Sequence, residues 1–194
     1  MFQASGEARW LTVARRLLST AVDQFGDDDG GFHDTAADAE PLLLRPRTTA
    51  DNAEPSGQSA LAGALLTCSA LTGDASQRER AEAALAASGQ LASRDPRFGG
   101  WALAVAEAAA AGPLQVAVVA AQPGDPLAGD LLAVARRSSS PGLVVDHGSV
   151  GEPDHPLLAE RPLVAGRAAA YVCRGFVCDA PVTEVEALTR ALAR

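Results

Sequence analysis

The residue pattern of this 194-residue chain changes character at Gly112. Before Gly112, apolar residues recur every three or four positions, which is the period of an amphipathic α-helix. After Gly112, short runs rich in Val and Leu, such as "PLQVAVVAA" and "GLVVDHG", alternate with helical segments. This change predicts a helical first domain over residues 1–112 and a small α/β segment over residues 113–194.

The first domain is predicted to hold four long helices. The first covers residues 10–25, the second starts near Ser56, and the others cover about 76–91 and 96–111. A short extended segment, "PLLLRP", precedes the second helix. Aromatic residues make up only 4% of the chain, so the core must be built from Ala, Leu and Val, whose small side chains favour close helix packing. We therefore predict a mainly α fold of closely packed helices. A weak internal echo, "SGEA" at residue 5 and "TGDA" at residue 72, suits repeating helical hairpins, although two ordinary helix starts would explain it equally well.

The second domain is predicted to begin with a strand–helix–strand unit. Such units normally place their two strands in parallel, joined by a right-handed crossover. The segment "AAAYVCRGF" predicts a further strand, and "VTEVEALTRALA" predicts an amphipathic closing helix. Thr183 and Glu186 have the spacing of a capping box at the start of that helix.

Charge and composition exclude several partners. The net charge of −8 argues against nucleic acid, because binding to phosphates requires clustered cations, and the pair Arg136-Arg137 is too small a cluster. The chain contains no uncharged apolar run long enough to span a membrane. The start "MFQASGEARW" does not have the pattern of a signal peptide. An odd number of cysteines, three, fits the reducing cytoplasm better than secretion.

The most polar loop directly precedes the second predicted helix. Its polar residues are Asp51, Asn52, Glu54, Ser56 and Gln58. Ser56 suits the N-cap of that helix, which is the structural interpretation of the loop. The carboxylate and amide groups could instead line a sugar-sized cleft. Asp51 or Glu54 could then form, with the upstream Asp34, the two-carboxylate pair used in glycoside chemistry. The residues leave both interpretations open.

Two other groups are weaker candidates. Arg45 and Arg47 alternate in a predicted extended segment, where they could clamp an acidic group or form a solvated pair. Cys173 and Cys178 have C-x4-C spacing, which differs from the C-x-x-C of a dithiol redox turn and completes no metal site. They are either ordinary thiols or a redox pair, and His147 and His155 in the upstream loops could in principle join them. We predict no metal and no cofactor.

Three segments resemble a known family. They are "GGFHDTAADAEPLLLRPRTTADNAEPSGQSALAGALLTCSALTGD", "PLQVAVVAAQPGDP" and "AAAYVCRGFVCDAPVTEVEAL". Together they resemble the C-terminal region of the thioredoxin domain-containing family related to spermatogenesis-associated protein. The resemblance extends from about Ser5 to Leu192, and the pattern DNA-x-PSG-x-S is its most specific part.

This resemblance implies a fold and a function. Members of that family carry an N-terminal thioredoxin-like domain followed by an α/α toroid similar to six-hairpin glycosidases. The chain would then be a C-terminal fragment comprising part of an (α/α)6 toroid with a small α/β segment packed on it. By position, Asp51, Asn52, Ser56 and Gln58 match the motif loop and would face the central cleft.

Two functions follow as expectations. The first is a carbohydrate-related remnant that binds a sugar but does not catalyse independently, since the other hairpins that line a toroid cleft are missing. The second is a non-catalytic interaction domain that docks a separately encoded thioredoxin-like partner. Because repeat hairpins bury their cores against neighbouring hairpins, we also expect the chain to pair with an upstream toroid fragment or to self-associate.

Overall fold

The computed structural model describes residues 1–40 and 42–193, which form two compact units. The helical unit comprises Thr12–Ser69 and Asp74–Ala111. The α/β unit comprises Met1–Leu11, Ala70–Gly73 and the chain from Gly112 onward. The α/β unit thus contains two segments that the sequence-based division at residue 112 places in the first domain.

The described residues form seven α-helices, one 3-10 turn and four strands. In chain order they are α1 (Phe2–Ser5), α2 (Arg9–Phe25), α3 (Gly57–Thr72), α4 (Ala75–Arg94), the 3-10 turn (Pro96–Phe98), α5 (Gly100–Ala111), β1 (Leu114–Ala120), α6 (Pro126–Ala135), β2 (Leu143–Ser149), β3 (Ala169–Arg174), β4 (Val177–Cys178) and α7 (Val185–Leu192).

The helical unit packs through small side chains. Ala62 of α3, Ala81 and Ala84 of α4, and Ala102 of α5 are all buried. A Cβ added at Gly63 would lie 3.2 Å from a Val105 methyl group, so α3 and α5 approach closely at this glycine. The four predicted helices correspond to α2, α3, α4 and α5, and the core is built from small aliphatic residues.

The α/β unit is organised around a sheet of strand order β2-β1-β3-β4. β1 and β2 are parallel and are joined through α6, so the predicted parallel strand–helix–strand unit is confirmed. β3 runs antiparallel to β1, and β4 forms a hairpin with β3. All seven residues of β1 are buried, as expected for a central strand. Leu131 of α6 and Leu188 of α7 pack against one face of the sheet and form the hydrophobic core of the α/β unit with it.

The predicted toroid is wrong. The described residues are 47% helix and 14% strand, and their mixed sheet makes this an α/β fold rather than a mainly α one. The sheet packs against α6 and α7 and forms a buried hydrophobic core with them. The α/β unit therefore has its own core and does not depend on helical hairpins for one. The toroid was implied by the family resemblance and not by the residue pattern. The helical periodicity of residues 1–112 identified helices correctly but carried no information about their higher-order arrangement.

Two local predictions also differ from the structure. The segment "PLLLRP" was predicted to be extended, but the chain bends at Leu43 and Leu44, while Pro41 lies outside the described residues. Helix α7 has Glu184 as its N-cap, without a side-chain cap bond, so Thr183 and Glu186 do not form the predicted capping box. In the part of the chain that the structure describes, no helix combines the length and apolar character needed to cross a membrane.

Candidate functional site

The polar loop before α3 connects helices of the helical unit through buried hydrogen bonds, and we call it the structural joint. Asp51 is 5% exposed, and its carboxylate accepts hydrogen bonds from the backbone N–H groups of Ser56, Trp101 and Ala102, each at 2.9 Å. Trp101 and Ala102 lie in the first turn of α5, so Asp51 caps a helix that begins 49 residues later in the chain. Both oxygens of this carboxylate are thereby used inside the protein.

The pKa of Asp51 reflects this environment. Burial by itself raises the pKa of the carboxyl, but hydrogen bonds from the Ser56 and Ala102 amides, the Ser59 hydroxyl and the Trp101 amide outweigh it. The pKa therefore lies below its usual value, and Asp51 is held as a carboxylate. A group held in this way is poorly suited to act as a general acid.

Ser56 and Gln58 complete the joint. The Ser56 hydroxyl accepts from the Ser59 N–H at 3.1 Å, as predicted for an N-cap. The Gln58 amide is buried; it accepts from Phe32 N–H at 2.7 Å and donates to the Ala84 carbonyl at 2.7 Å. It therefore ties the segment around Phe32 to α4.

The other residues predicted for this site have separate environments and different hydrogen-bond partners. Asn52 and Glu54 are exposed. Asp34 accepts from the Thr48 hydroxyl at 2.7 Å, and Arg45 donates to the carbonyls of Gln24 and Thr35. Arg47 instead contacts the carboxylates of Asp27 and Asp29, so Arg45 and Arg47 do not converge on a common group.

A second polar cluster, of which the sequence had indicated only Cys173 and His155, lies in the α/β unit. Val145, Ala170 and Val172 belong to the core shared with α6 and α7. Because side chains alternate across a sheet, the neighbouring residues Asp146, Tyr171 and Cys173 point to the opposite face. All three are buried. We call this group, together with His155 and Arg161, the sheet-face cluster.

Asp146 organises one part of the sheet-face cluster. Its side chain is 0% exposed and lies 2.7 Å from His155 Nδ1, and its other oxygen accepts from Leu157 N–H at 3.1 Å. These contacts hold the loop between β2 and β3 on the sheet. Within the described residues His155 Nε2 is buried without a hydrogen bond, and a carboxylate oxygen of Glu152 lies 3.8 Å from it.

Arg161 and a disulfide form the other part. Cys173 of β3 and Cys178 of β4 are directly opposite in the sheet and are joined as a disulfide. Arg161 Nη2 lies 3.4 Å from both sulfur atoms. Arg161 also donates to the Leu157 carbonyl and lies over the ring of Tyr171, whose hydroxyl donates to the Pro162 carbonyl at 2.6 Å. The cation is thus fixed beside the two sulfurs.

The two cysteines differ in accessibility. Cys173 is 1% exposed, whereas Cys178 belongs to the exposed edge of the sheet. Burial lowers the pKa of Arg161, and the nearby Tyr171 and Asp146 oppose that effect. A guanidinium remains protonated at physiological pH. The disulfide therefore links the exposed Cys178 to the buried Cys173, and the Arg161 guanidinium lies beside both sulfurs.

The structure joins Cys173 and Cys178 in a disulfide, so they are not two separate thiols. The third cysteine, Cys68, is unbonded to another sulfur and buried in α3. Spacing alone did not reveal the pairing, since it depends on the hairpin that places residues 173 and 178 opposite each other. Asp146, His155 and Arg161 carried no recognisable motif because they come together only through the long loop after β2. Among the described residues, no group of three or more His, Cys, Asp or Glu side chains is placed to hold a metal ion.

Comparison with protein-family models finds no model that matches the chain, and comparison with curated proteins finds no similar sequence. The function is therefore inferred from the geometry of the sheet-face cluster and its disulfide.

Proposed function

We propose that the protein carries a thiol–disulfide exchange centre, in which Cys173 and Cys178 cycle between disulfide and dithiol in the cytoplasm. The observation that carries this proposal is the position of Arg161, 3.4 Å from both sulfurs. A neighbouring cation lowers the pKa of a cysteine and stabilises its thiolate. Disulfides in the cytosol are rare and are usually catalytic or redox-sensing, which favours exchange over a purely structural role.

Accessibility sets the order of the steps. The thiolate of an external dithiol attacks the exposed Cys178 sulfur, forms a mixed disulfide and breaks the bond to Cys173. Cys173 leaves as a thiolate beside the Arg161 guanidinium. The second thiol of the reductant then attacks the reductant sulfur of the mixed disulfide. This closes the reductant's own disulfide and releases Cys178 as a thiol. Two electrons and two protons pass to the protein, and the reductant becomes a disulfide.

The sign of the Arg161 effect is fixed by this scheme. Arg161 favours the leaving Cys173 thiolate and the reduced form, so removing its charge should slow reduction and make the reduction potential more negative. A tenfold change in the exchange equilibrium corresponds to about 30 mV. We expect Arg161→Met to slow reduction by dithiothreitol roughly tenfold, because the leaving thiol departs more slowly as its pKa rises.

The experiment compares wild-type protein, Arg161→Met and a control, Arg137→Met, which removes an exposed arginine elsewhere in the α/β unit. Native protein is incubated with dithiothreitol, and alkylated thiols are counted over time by mass spectrometry. Wild-type and control should each gain two alkylatable thiols at the same rate. Resistance of the native disulfide to dithiothreitol, or identical kinetics and potentials for wild-type and Arg161→Met, would overturn the proposal.

A further inference from the structure

We propose that the redox partner of the disulfide is a protein, which docks an extended segment along the β4 edge next to Cys178. This inference rests on the proposed exchange function. β4 is the terminal strand in the sheet order, and it is only two residues long. Whatever attacks the Cys178 sulfur must approach along this edge.

The backbone of Cys178 is open toward that edge. In an antiparallel ladder, residue pairs alternate between those that exchange hydrogen bonds and those that do not. Arg174 and Val177 flank a two-residue turn and form a hydrogen-bonded pair, and Asp179 N–H donates to the Val172 carbonyl at 3.0 Å. Cys178 lies between these two positions. Its own N–H and C=O therefore point away from β3, where an added strand could pair with them.

Apolar side chains surround this open position. Phe176 is 51% exposed and Val177 is 76% exposed. A Cβ added at Gly73 would lie 3.9 Å from the Phe176 ring, and the Phe176 N–H donates to the Gln115 side chain. Gln115 is paired with Cys173, so its side chain and the disulfide share one face of the sheet. Phe176 thus presents an apolar surface on the face that carries the reactive sulfur.

The turn holds Phe176 in an unusual conformation. Gly175 and Phe176 have φ values of +56° and +69°, as in a type I′ turn. This region favours Gly and Asn, and a phenylalanine there is strained. The Gln115 side chain fixes the turn by accepting from Phe176 N–H at 3.1 Å. A strained, half-exposed aromatic side chain beside a reactive bond is the arrangement expected of a contact residue for a macromolecule.

The test separates docking from chemistry. The protein probe is a thioredoxin whose second active-site cysteine is replaced by serine, so that the mixed disulfide accumulates, and the small-molecule probe is dithiothreitol. The variant is Phe176→Asn, because Asn accepts the left-handed conformation while the apolar ring is lost. The matched control is Val150→Asn, which alters a side chain that is 47% exposed and lies next to the opposite end of β1.

We expect Phe176→Asn to slow mixed-disulfide formation with the thioredoxin variant roughly tenfold, as for loss of an aromatic anchor, and to leave the dithiothreitol rate unchanged. Val150→Asn should change neither rate, and Phe176→Gly should behave as Phe176→Asn does. Equal thioredoxin rates for wild-type and Phe176→Asn would overturn the docking proposal, as would an equal loss of both rates. If dithiothreitol cannot reduce the native wild-type disulfide, the exchange centre itself fails, and docking fails with it.

Discussion

Replacing Asp51 tests whether the polar loop is a structural joint. In Asp51→Ala the backbone N–H groups of Ser56, Trp101 and Ala102 lose their acceptor inside the helical unit. Each buried donor left without a partner costs about 1–3 kcal/mol. Some of these groups will recover a water, so we expect a loss of about 4 kcal/mol in the free energy of unfolding, a large fraction of the stability of a typical domain.

Asp51→Asn separates the two carboxylate oxygens. Trp101 and Ala102 donate to one oxygen, and Ser56 donates to the other. The asparagine amide retains one acceptor oxygen but faces the remaining N–H with an NH2 group, so we expect a loss of about 2 kcal/mol. The exposed Glu54 in the same loop provides the control, and Glu54→Gln should change stability by less than about 0.5 kcal/mol.

The effect of Asp51 should depend on pH with a defined sign. Its pKa is lowered in the folded protein, so the carboxylate contributes stability above the pKa of the unfolded state, about 3.9. That contribution is lost as the pH falls through the lower folded pKa. The difference between wild-type and Asp51→Asn should therefore be constant near neutral pH and shrink below about pH 4.

Urea denaturation followed by far-ultraviolet circular dichroism measures these differences, because the helical unit supplies much of the signal. The reasoning is refuted if Asp51→Ala unfolds within about 1 kcal/mol of wild-type, or if the Asp51→Asn difference grows on acidification. A carbohydrate titration of the same variants would address the sugar-binding expectation separately, since a ligand-binding role predicts loss of binding without loss of stability.

The remaining predictions concern two further buried polar residues, Gln58 and Asp146. Gln58→Leu removes the acceptor for Phe32 N–H and the donor to the Ala84 carbonyl. It should lower the urea midpoint by an amount equivalent to about 2–3 kcal/mol. The exposed control Gln90→Leu should leave the midpoint unchanged. A Gln58→Leu midpoint equal to that of wild-type would show that these bonds contribute nothing net. Asp146→Asn weakens the contacts to His155 and Leu157 and should cost about 3 kcal/mol. It should also speed hydrogen exchange at the Leu157 amide, and unchanged exchange there would contradict the role assigned to Asp146.

The sequence by itself determined the local elements. Periodicity placed α2 to α5, the β-branched run placed β1, and the strand–helix–strand pattern implied the parallel pairing of β1 and β2. It also located the Ser56 cap, because capping involves residues only three positions apart. These features depend on near neighbours in the chain, which a single sequence displays directly.

Only the tertiary structure decided how those elements combine. Asp51 caps α5 from 49 residues away, and Arg161 reaches the disulfide through a loop with no regular pattern. The mixed sheet depends on which strands meet after the chain has folded back on itself. This pairing is what contradicts the predicted toroid. Pairing between distant segments depends on packing that no local spacing encodes. The sequence therefore indicated the helices and strands, and the fold brought the two cysteines and their cation together.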